Sequence, residues 1–178
     1  METSDHTHGF LEPGPALRGE PLPAGTLETL IAAAQSAPTS SNLQAWSVVA
    51  VEDPARRARL AELAGAQGFI REAPLFLAWL ADPSRLDRVA QARAGSAEGV
   101  RCLEAFMVAL VDAAMAAQNA VVAAEALGLG CVYVGALRNR PEAVAAELGL
   151  PPDCMAVFGL SVGVPDPARP AAVKPRLP

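Results

Sequence analysis

The chain has 178 residues, most simply one domain that buries about 70% of its unfolded surface. Hydrophobic residues make up 52% of it, a fraction that favours a large core or a permanent subunit interface. The net charge of −5 and the lack of any cluster of lysine or arginine exclude a typical nucleic-acid-binding protein. The first ten residues carry acidic side chains and no apolar segment, so we expect no signal peptide.

The three cysteines, Cys102, Cys131 and Cys154, are odd in number and widely spaced, without a CxxC pair. This pattern predicts reduced thiols rather than a disulfide framework or a zinc site. We therefore expect a cytoplasmic protein with no metal site and with no membrane or nucleic-acid partner.

The first part of the chain predicts an extended arm followed by a helix. Residues 1–23 contain four prolines and three glycines and show no periodicity, so we assign them to an N-terminal arm. Residues 24–178 then form a single domain. Apolar residues from Leu27 onward recur with helical spacing and predict a first helix over 24–36.

Four small polar residues, Thr39-Ser40-Ser41-Asn42, follow this helix directly. They form either a turn with the N-cap of a short helix or a loop whose hydroxyls and amides bind a ligand. Without further information the turn is the simpler interpretation.

Strands and helices then alternate up to a long helix. Residues 47–52 (SVVAVE) predict a strand, and Asp53-Pro54 is a typical start for the helix that follows. The continuous apolar run 74–81 (PLFLAWLA) is typical of a strand that is buried on both faces. The other predicted elements of this part are a helix from 54 to about 64, a connector at 67–70, and a helix from about 83 to 93.

The longest element is predicted over residues 105–127, which read AFMVALVDAAMAAQNAVVAAEAL. Alanine, leucine and methionine are strong helix formers, and a helix that is apolar on almost every face must be buried by other elements. The run is long enough to cross a bilayer. Against that interpretation, Asp112 near its middle would cost roughly 2.5–3.5 kcal/mol on insertion, and no basic flank is present. We interpret the segment as the buried core helix of a soluble domain.

Glycines end this helix and lead into a short strand. Gly128-Leu129-Gly130 is a typical C-cap, residues 131–134 predict the strand, and 135–139 follow its end, where ligands commonly bind. These glycines precede a strand rather than following one, which excludes a dinucleotide-binding fingerprint. Residues 141–148 predict a helix and 155–164 a buried strand. This order of elements indicates an α/β or α+β domain with a mixed sheet.

Four segments, taken in order, resemble the FMN-dependent nitroreductases, and in particular their NADPH-dependent flavin reductase and oxygen-insensitive nitroreductase subgroup. The segments are APTSSNLQAWSVVAV (37–51), LAGAQGFI (63–70), DAAMAAQNAVVAAEALGLGCVYVGALRN (112–139), and VFGLSVGVPDP with VKPRLP (within 157–178). The resemblance implies an α+β fold with a mixed sheet flanked by helices around the long apolar helix. It also implies an intimate homodimer with FMN at the interface.

The same resemblance implies an oxidoreductase in which NAD(P)H reduces FMN, and the flavin then reduces nitroaromatics, quinones or free flavin. The chemistry belongs to the flavin, so no catalytic protein residue is expected. Thr39, Ser40 and Ser41 would contact the flavin, and Gln67 would reach its ribityl chain or ring. Tyr133, Val134, Gly135 and Ala136 would line the ring, with the glycine permitting close approach of the backbone.

Three cations complete the set of residues that the resemblance implies. Lys174 and Arg176 of the KPR sequence would hold the FMN phosphate by charge-assisted hydrogen bonds. Arg138 matches an arginine that binds NADPH in the family, and the alternative for it is a solvent-exposed loop cation.

The sequence departs from the family pattern in two places. The R-S-x-R motif that supplies further phosphate ligands is missing from residues 11–18. The subgroup also continues tens of residues beyond the KPR sequence, into an arm that embraces the partner, whereas this sequence stops at Pro178. Both departures predict weaker FMN retention and weaker NADPH recognition. The alternative function is therefore a shortened family member that keeps the fold and the dimer and acts as a weak flavin-binding or interaction protein without turnover.

Overall fold

A computed structural model describes residues 16–95 and 98–169 of the chain. Helices and strands are interleaved along this length, and the predicted α+β class is confirmed. The strands are β1 (Leu17–Arg18), β2 (Trp46–Val51), β3 (Leu75–Ala81), β4 (Gly130–Val134) and β5 (Met155–Pro165). The helices are α1 (Thr26–Gln35), α2 (Pro54–Leu63), α3 (Gly68–Glu72), α4 (Ser84–Ala92), α5 (Leu103–Ala126) and α6 (Pro141–Leu148).

The sheet is built around the last strand, β5. Gly159 of β5 pairs with Ala78 of β3 and with Val134 of β4, so these two strands lie on opposite sides of it. β2 pairs with the outer edge of β3, and the short β1 pairs with the end of β5. The order of the four longer strands is therefore β2, β3, β5, β4.

All strand pairs among the described residues are antiparallel, so the mixed sheet that we expected is not found there. A mixed sheet needs at least one pair of neighbouring parallel strands. Alternation of helices and strands along a sequence does not by itself reveal which strands become neighbours. In this chain each sheet neighbour runs in the opposite direction.

Helices cover both faces of the sheet and create two cores. On one face, α1 and α5 pack against Leu75, Leu77 and Trp79 of β3. On the other face, α2, α3 and α6 pack against the alternate residues, such as Phe76 and Ala78. Every residue of β3 is buried, as the continuous apolar run predicts.

The helix α5 has one buried face and one exposed apolar face. Its buried face consists mostly of alanines, which let the helix lie close to the sheet. Its opposite side exposes long apolar side chains, so the elements of a single chain provide only part of the burial that we expect for this helix. Among the described residues, α5 is the one helix long and apolar enough to span a membrane, and its packing identifies it as a core helix. The exposed apolar side chains of this face, which we call the α5 stripe, are Leu103, Met107, Leu110, Val111, Met115 and Val122.

Both tryptophans of the chain lie in the core beneath α5. The ring centroids of Trp46 and Trp79 are 5.5 Å apart, with the ring planes inclined by 40°. Trp46 is the first residue of β2 and lies four residues after the polar segment 39–42 that the sequence singles out.

Candidate functional site

Residues 39–45 form a compact loop between α1 and β2, with an unusual backbone. Ser41, Asn42 and Gln44 have φ values of 50°, 55° and 52°, in the left-handed region that non-glycine residues seldom adopt. Each such residue costs about 1–3 kcal/mol and persists only where its surroundings impose the conformation. Residues Ser40–Asn42 form a short 3-10 turn, as the simpler interpretation predicts, and the left-handed residues make it a constrained one.

Asp112 of α5 holds both ends of this loop. One carboxylate oxygen accepts a hydrogen bond from the Ser40 N–H at 3.0 Å, and the other accepts one from the Ala45 N–H at 3.3 Å. The side chain is buried, with 1% of the residue exposed. Hydrogen bonds to a charged group contribute about 1.5–3 kcal/mol each, which is comparable to the cost of the loop conformation.

The hydroxyl groups of this loop are available to a ligand. Thr39 Oγ1 is buried and has no hydrogen-bond partner within the described part of the chain. A buried hydroxyl without a partner is costly, so this group is a candidate for a hydrogen bond from outside the described residues. Ser40 and Ser41 are exposed next to it.

A second group of predicted site residues lies at the end of β4. Tyr133 is 45% exposed, and its ring contacts Phe158 edge-on at 5.6 Å between centroids. Its hydroxyl donates to Gln118 Oε1 of α5 at 3.4 Å. Burial, and then the neighbouring Cys131, raises the pKa of Tyr133 to about 12, so the phenol stays neutral. Val134 is buried and fixes the end of the strand.

Gly135 and Arg138 lie against each other in the turn that follows β4. A Cβ on Gly135 would come within 3.1 Å of Arg138 Nη2. The Arg138 guanidinium also donates to the Val157 carbonyl at 2.5 Å, so the side chain is anchored to β5 although the residue is exposed. Ala136 is half-buried beside them. A larger residue at 135 would displace this guanidinium.

Gln67 belongs to the same region as this turn. It occupies the N-cap position of α3, but its side chain makes no capping hydrogen bond. Two residues earlier, a Cβ on Gly65 would lie 3.9 Å from the Asn139 side chain, which shows that the two turns are adjacent. Gln67 thus lies two residues from a contact with Asn139, which ends the turn that follows β4, and the connector predicted at 67–70 is part of a helical turn.

The predicted flavin-binding residues therefore form two groups on opposite edges of the sheet. The loop group, Thr39, Ser40 and Ser41, precedes the edge strand β2. The β4 group, Gln67 and residues 133–136, lies at the β4 edge, and β3 and β5 stand between the two edges. Three strand spacings correspond to about 14 Å. Lys174 and Arg176 lie outside the described residues.

Two cysteines near these groups are poorly suited to nucleophilic chemistry. Burial, and then Glu125, raises the pKa of Cys131 to about 12. Burial, and then Asp82, raises the pKa of Cys154 to about 12. Both therefore remain thiols at neutral pH, and all three cysteines are free as predicted. Residues 16–95 and 98–169 hold no cluster of three side chains that could bind a metal ion.

Two structural residues were missed by reasoning from the sequence. Asp112 was considered only as an obstacle to membrane insertion, although a lone carboxylate in an apolar helix is a signal for a buried partner. An arginine in the helix that follows Asp53-Pro54 is most simply part of a solvated face, but Arg57 is 7% exposed and donates to the carbonyls of Glu52 and Pro74 at 2.6 Å. Burial lowers the pKa of Arg57. It ties α2 to the ends of β2 and β3.

The chain is similar in sequence to a known family and to several characterised proteins. The Nitroreductase family model matches residues 16–164. The FMN reductase (NADPH) of Bacillus subtilis is 40% identical over 158 residues, covering 88% of this chain and 63% of that protein. The oxygen-insensitive NADPH nitroreductase of Salmonella typhimurium is 41% identical over 160 residues, covering 89% of this chain and 63% of that protein.

A solved structure shows the same fold. The structure of NfrA1 from B. megaterium has a TM-score of 0.88 and 39% sequence identity, covering 94% of this chain and 68% of that one. The chain thus spans 63% of the length of the two curated relatives named above. The family model covers both the loop group and the β4 group, while Lys174 and Arg176 lie beyond the matched residues. The chain belongs to the nitroreductase family.

Proposed function

We propose that the protein is an FMN-dependent NAD(P)H oxidoreductase whose acceptors are nitroaromatics, quinones or free flavin. The observation that carries this proposal is the family match over residues 16–164, which includes both the loop group and the β4 group. The names of the relatives, an NADPH-dependent FMN reductase and an NADPH nitroreductase, support the cofactor, the reductant and the acceptor class. A cytoplasmic location is part of the same proposal.

The residues present are suited to a flavin. The unpartnered Thr39 hydroxyl and the exposed Ser40 and Ser41 offer hydrogen bonds, while Tyr133 and the Gly135 turn offer an exposed apolar edge with accessible backbone. In this proposal Lys174 and Arg176 hold the phosphate, and Arg138 contacts the nicotinamide nucleotide. Bound FMN would supply the hydride chemistry, accepting from NAD(P)H and passing electrons to the acceptor. The chain's own residues bind and orient it.

We further propose that the flavin site forms between two copies of the chain. The loop group and the β4 group lie at opposite edges of one sheet, and the α5 stripe leaves a long apolar surface uncovered. Large exposed apolar surfaces of this kind are typical of subunit interfaces. A homodimer that covers the α5 stripe would let the loop group of one protomer meet the β4 group of its partner.

The second candidate function is flavin binding without turnover. It is favoured by the sequence of residues 11–18, which lacks the R-S-x-R phosphate motif of the family. The two candidates differ in one measurement, NAD(P)H oxidation by flavin-loaded protein in the presence of a quinone or nitroaromatic acceptor.

The first experiment is a fluorescence titration of the purified protein with FMN. We expect saturable binding with a Kd in the micromolar range or weaker, because half of the family's phosphate ligands are missing. Failure of wild-type protein to bind FMN at any accessible concentration would contradict the proposal.

Mixed dimers test where the site forms. One variant, Thr39→Val/Ser40→Ala/Ser41→Ala, removes the loop hydroxyls, and a second, Gly135→Val, obstructs the β4 turn. Each homodimer should bind little FMN. A mixed dimer, isolated with two affinity tags, should regain one flavin per two chains because it contains one site with both groups intact. No recovery in the mixed dimer would contradict a site shared between protomers.

A further inference from the structure

We infer that Asp112 is a positioning residue for the flavin loop, and that its carboxylate sets the loop geometry on which the proposed FMN site depends. The inference rests on the proposed function. It starts from the fact that Asp112 bonds the N–H groups of Ser40 and Ala45, which bracket the three left-handed residues Ser41, Asn42 and Gln44.

Apart from the Ala45 carbonyl, which accepts from the Asp82 N–H at 2.9 Å where the loop enters β2, the remaining backbone hydrogen bonds of the loop are local. The Asn42 N–H donates to the Thr39 carbonyl, and the Leu43 N–H donates to the Ser40 carbonyl. These two local bonds close a tight turn but do not connect it to another helix or strand. The carboxylate of Asp112, 72 residues from Ser40 in the sequence, joins the turn to the central helix.

The polar residues of α5 have different partners, which gives a matched control. Asn119 donates to the Ala33 carbonyl and to Ser36 Oγ at the end of α1. Loss of the Asn119 side chain should loosen α1 without changing the loop. Loss of the Asp112 carboxylate should release the loop without changing α1.

The first test is amide hydrogen exchange of the wild-type dimer, followed by NMR. Bonded amides exchange slowly, so the N–H groups of Ser40 and Ala45 should be protected at least about tenfold more than those of Ser41 and Gln44. The last two have no acceptor among the residues that the structure describes. Equal exchange at all four positions would overturn the inference, whatever the behaviour of any variant.

The second test compares Asp112→Asn with Asn119→Ala. We expect Asp112→Asn to lose protection at Ser40 and Ala45 selectively and to raise the Kd for FMN by about tenfold or more. We expect Asn119→Ala to keep both the protection and the FMN affinity. A general rise in exchange across the sheet of Asp112→Asn would show a purely structural role and would overturn the inference.

The possible outcomes distinguish an error in the role of Asp112 from an error in the proposed function. If wild-type protein binds FMN and Asp112→Asn binds it equally well, the inference is wrong and the proposed function stands. If wild-type protein binds no FMN, the proposed function is wrong, and the role of Asp112 in flavin binding is overturned with it. In that case the exchange data still report on the loop by themselves.

Discussion

At the level of single residues, the candidate site depends on a few atoms whose roles are set by their neighbours. Gly135 does not have a positive φ, so its importance lies in the space beside it, which Arg138 fills. Asp112 is a second example, because its buried carboxylate accepts hydrogen bonds from two backbone N–H groups. The contact between Gly135 and Arg138 is local, whereas the bonds of Asp112 join residues 72 and 67 positions apart.

The proposed contacts of Lys174 and Arg176 with the FMN phosphate can be tested by comparing FMN with riboflavin, which lacks the phosphate. An FMN phosphate carries nearly two negative charges, whereas riboflavin has none. Because a charge-assisted hydrogen bond contributes about 1.5–3 kcal/mol, Lys174→Ala or Arg176→Ala should weaken FMN binding by roughly 10- to 150-fold. Riboflavin binding should be unchanged. Parallel fluorescence titrations measure both, and an equal loss for the two flavins would show that these cations do not contact the phosphate.

The sequence allowed us to predict which residues belong to the candidate site, but not how those residues are arranged in space. The resemblance named the loop group and the β4 group, and Ser40, Ser41 and Gly135 are indeed exposed, while Thr39 Oγ1 is buried without a partner among the described residues. The separation of the two groups could not be predicted, because it depends on the pairing of β2, β3, β5 and β4. The left-handed backbone at Ser41 could not be predicted either, since serine has no special preference for it.

At the level of helices and strands, the sequence was most informative where periodicity was strong. The bounds of β2, β3, β4, α6 and β5 agree with the predictions within one residue. The helix α3 was missed because five residues that begin with a glycine give no periodic pattern. The two-residue β1 falls in the segment predicted as an extended arm, and only its partner β5 makes it a strand.

A surface ion pair joins two of these elements and gives a pH-dependent prediction. Arg59 of α2 forms two hydrogen bonds of 2.9 Å with the Glu147 carboxylate of α6, and Arg56 donates to the Glu147 carbonyl at 2.7 Å. The Arg59 hydrogen bonds lower the pKa of Glu147 below its usual 4.5. A carboxylate with a lowered pKa stabilises the folded state above its ordinary pKa, and this contribution disappears as the pH falls through the folded value.

We therefore expect Glu147→Gln to be less stable than wild type at pH 7 and equally stable once the pH is well below 4.5. The measurement is urea unfolding at a series of pH values between 3 and 7. Glu142→Gln, on the same helix, is the control and should show a smaller difference at pH 7. A stability difference for Glu147→Gln that does not change with pH would exclude the ion pair as its cause.

At the level of the whole molecule, α5 contributes to both the core and the proposed interface. Its alanines pack on the sheet, and the α5 stripe lies on the opposite side. The composition predicted either a large core or a permanent interface, and this helix contains a surface for each. The high apolar fraction is therefore explained by a thin alanine-lined core together with apolar residues that a single chain cannot bury.

Charge placed on this stripe tests the homodimer. Val111 lies in the α5 stripe and is 54% exposed, and Val89 on α4 is 56% exposed. Val111→Glu would bury a charge in the interface and should shift the protein to monomers, whereas Val89→Glu should not. Sedimentation velocity at micromolar concentration measures the distribution. A monomeric wild type, or a dimer unaffected by Val111→Glu, would contradict the proposed interface.

The two tryptophans give the molecule an internal optical probe. Trp46 and Trp79 are the only strong near-ultraviolet chromophores of this type in the chain, and their rings are 5.5 Å apart in a tilted arrangement. The backbone of Trp46 directly follows Ala45, whose N–H is bonded to Asp112. A change in the conformation of the loop should therefore change the position of the Trp46 ring relative to the Trp79 ring. Near-ultraviolet circular dichroism should follow the order of the loop in unlabelled protein, before any ligand is added.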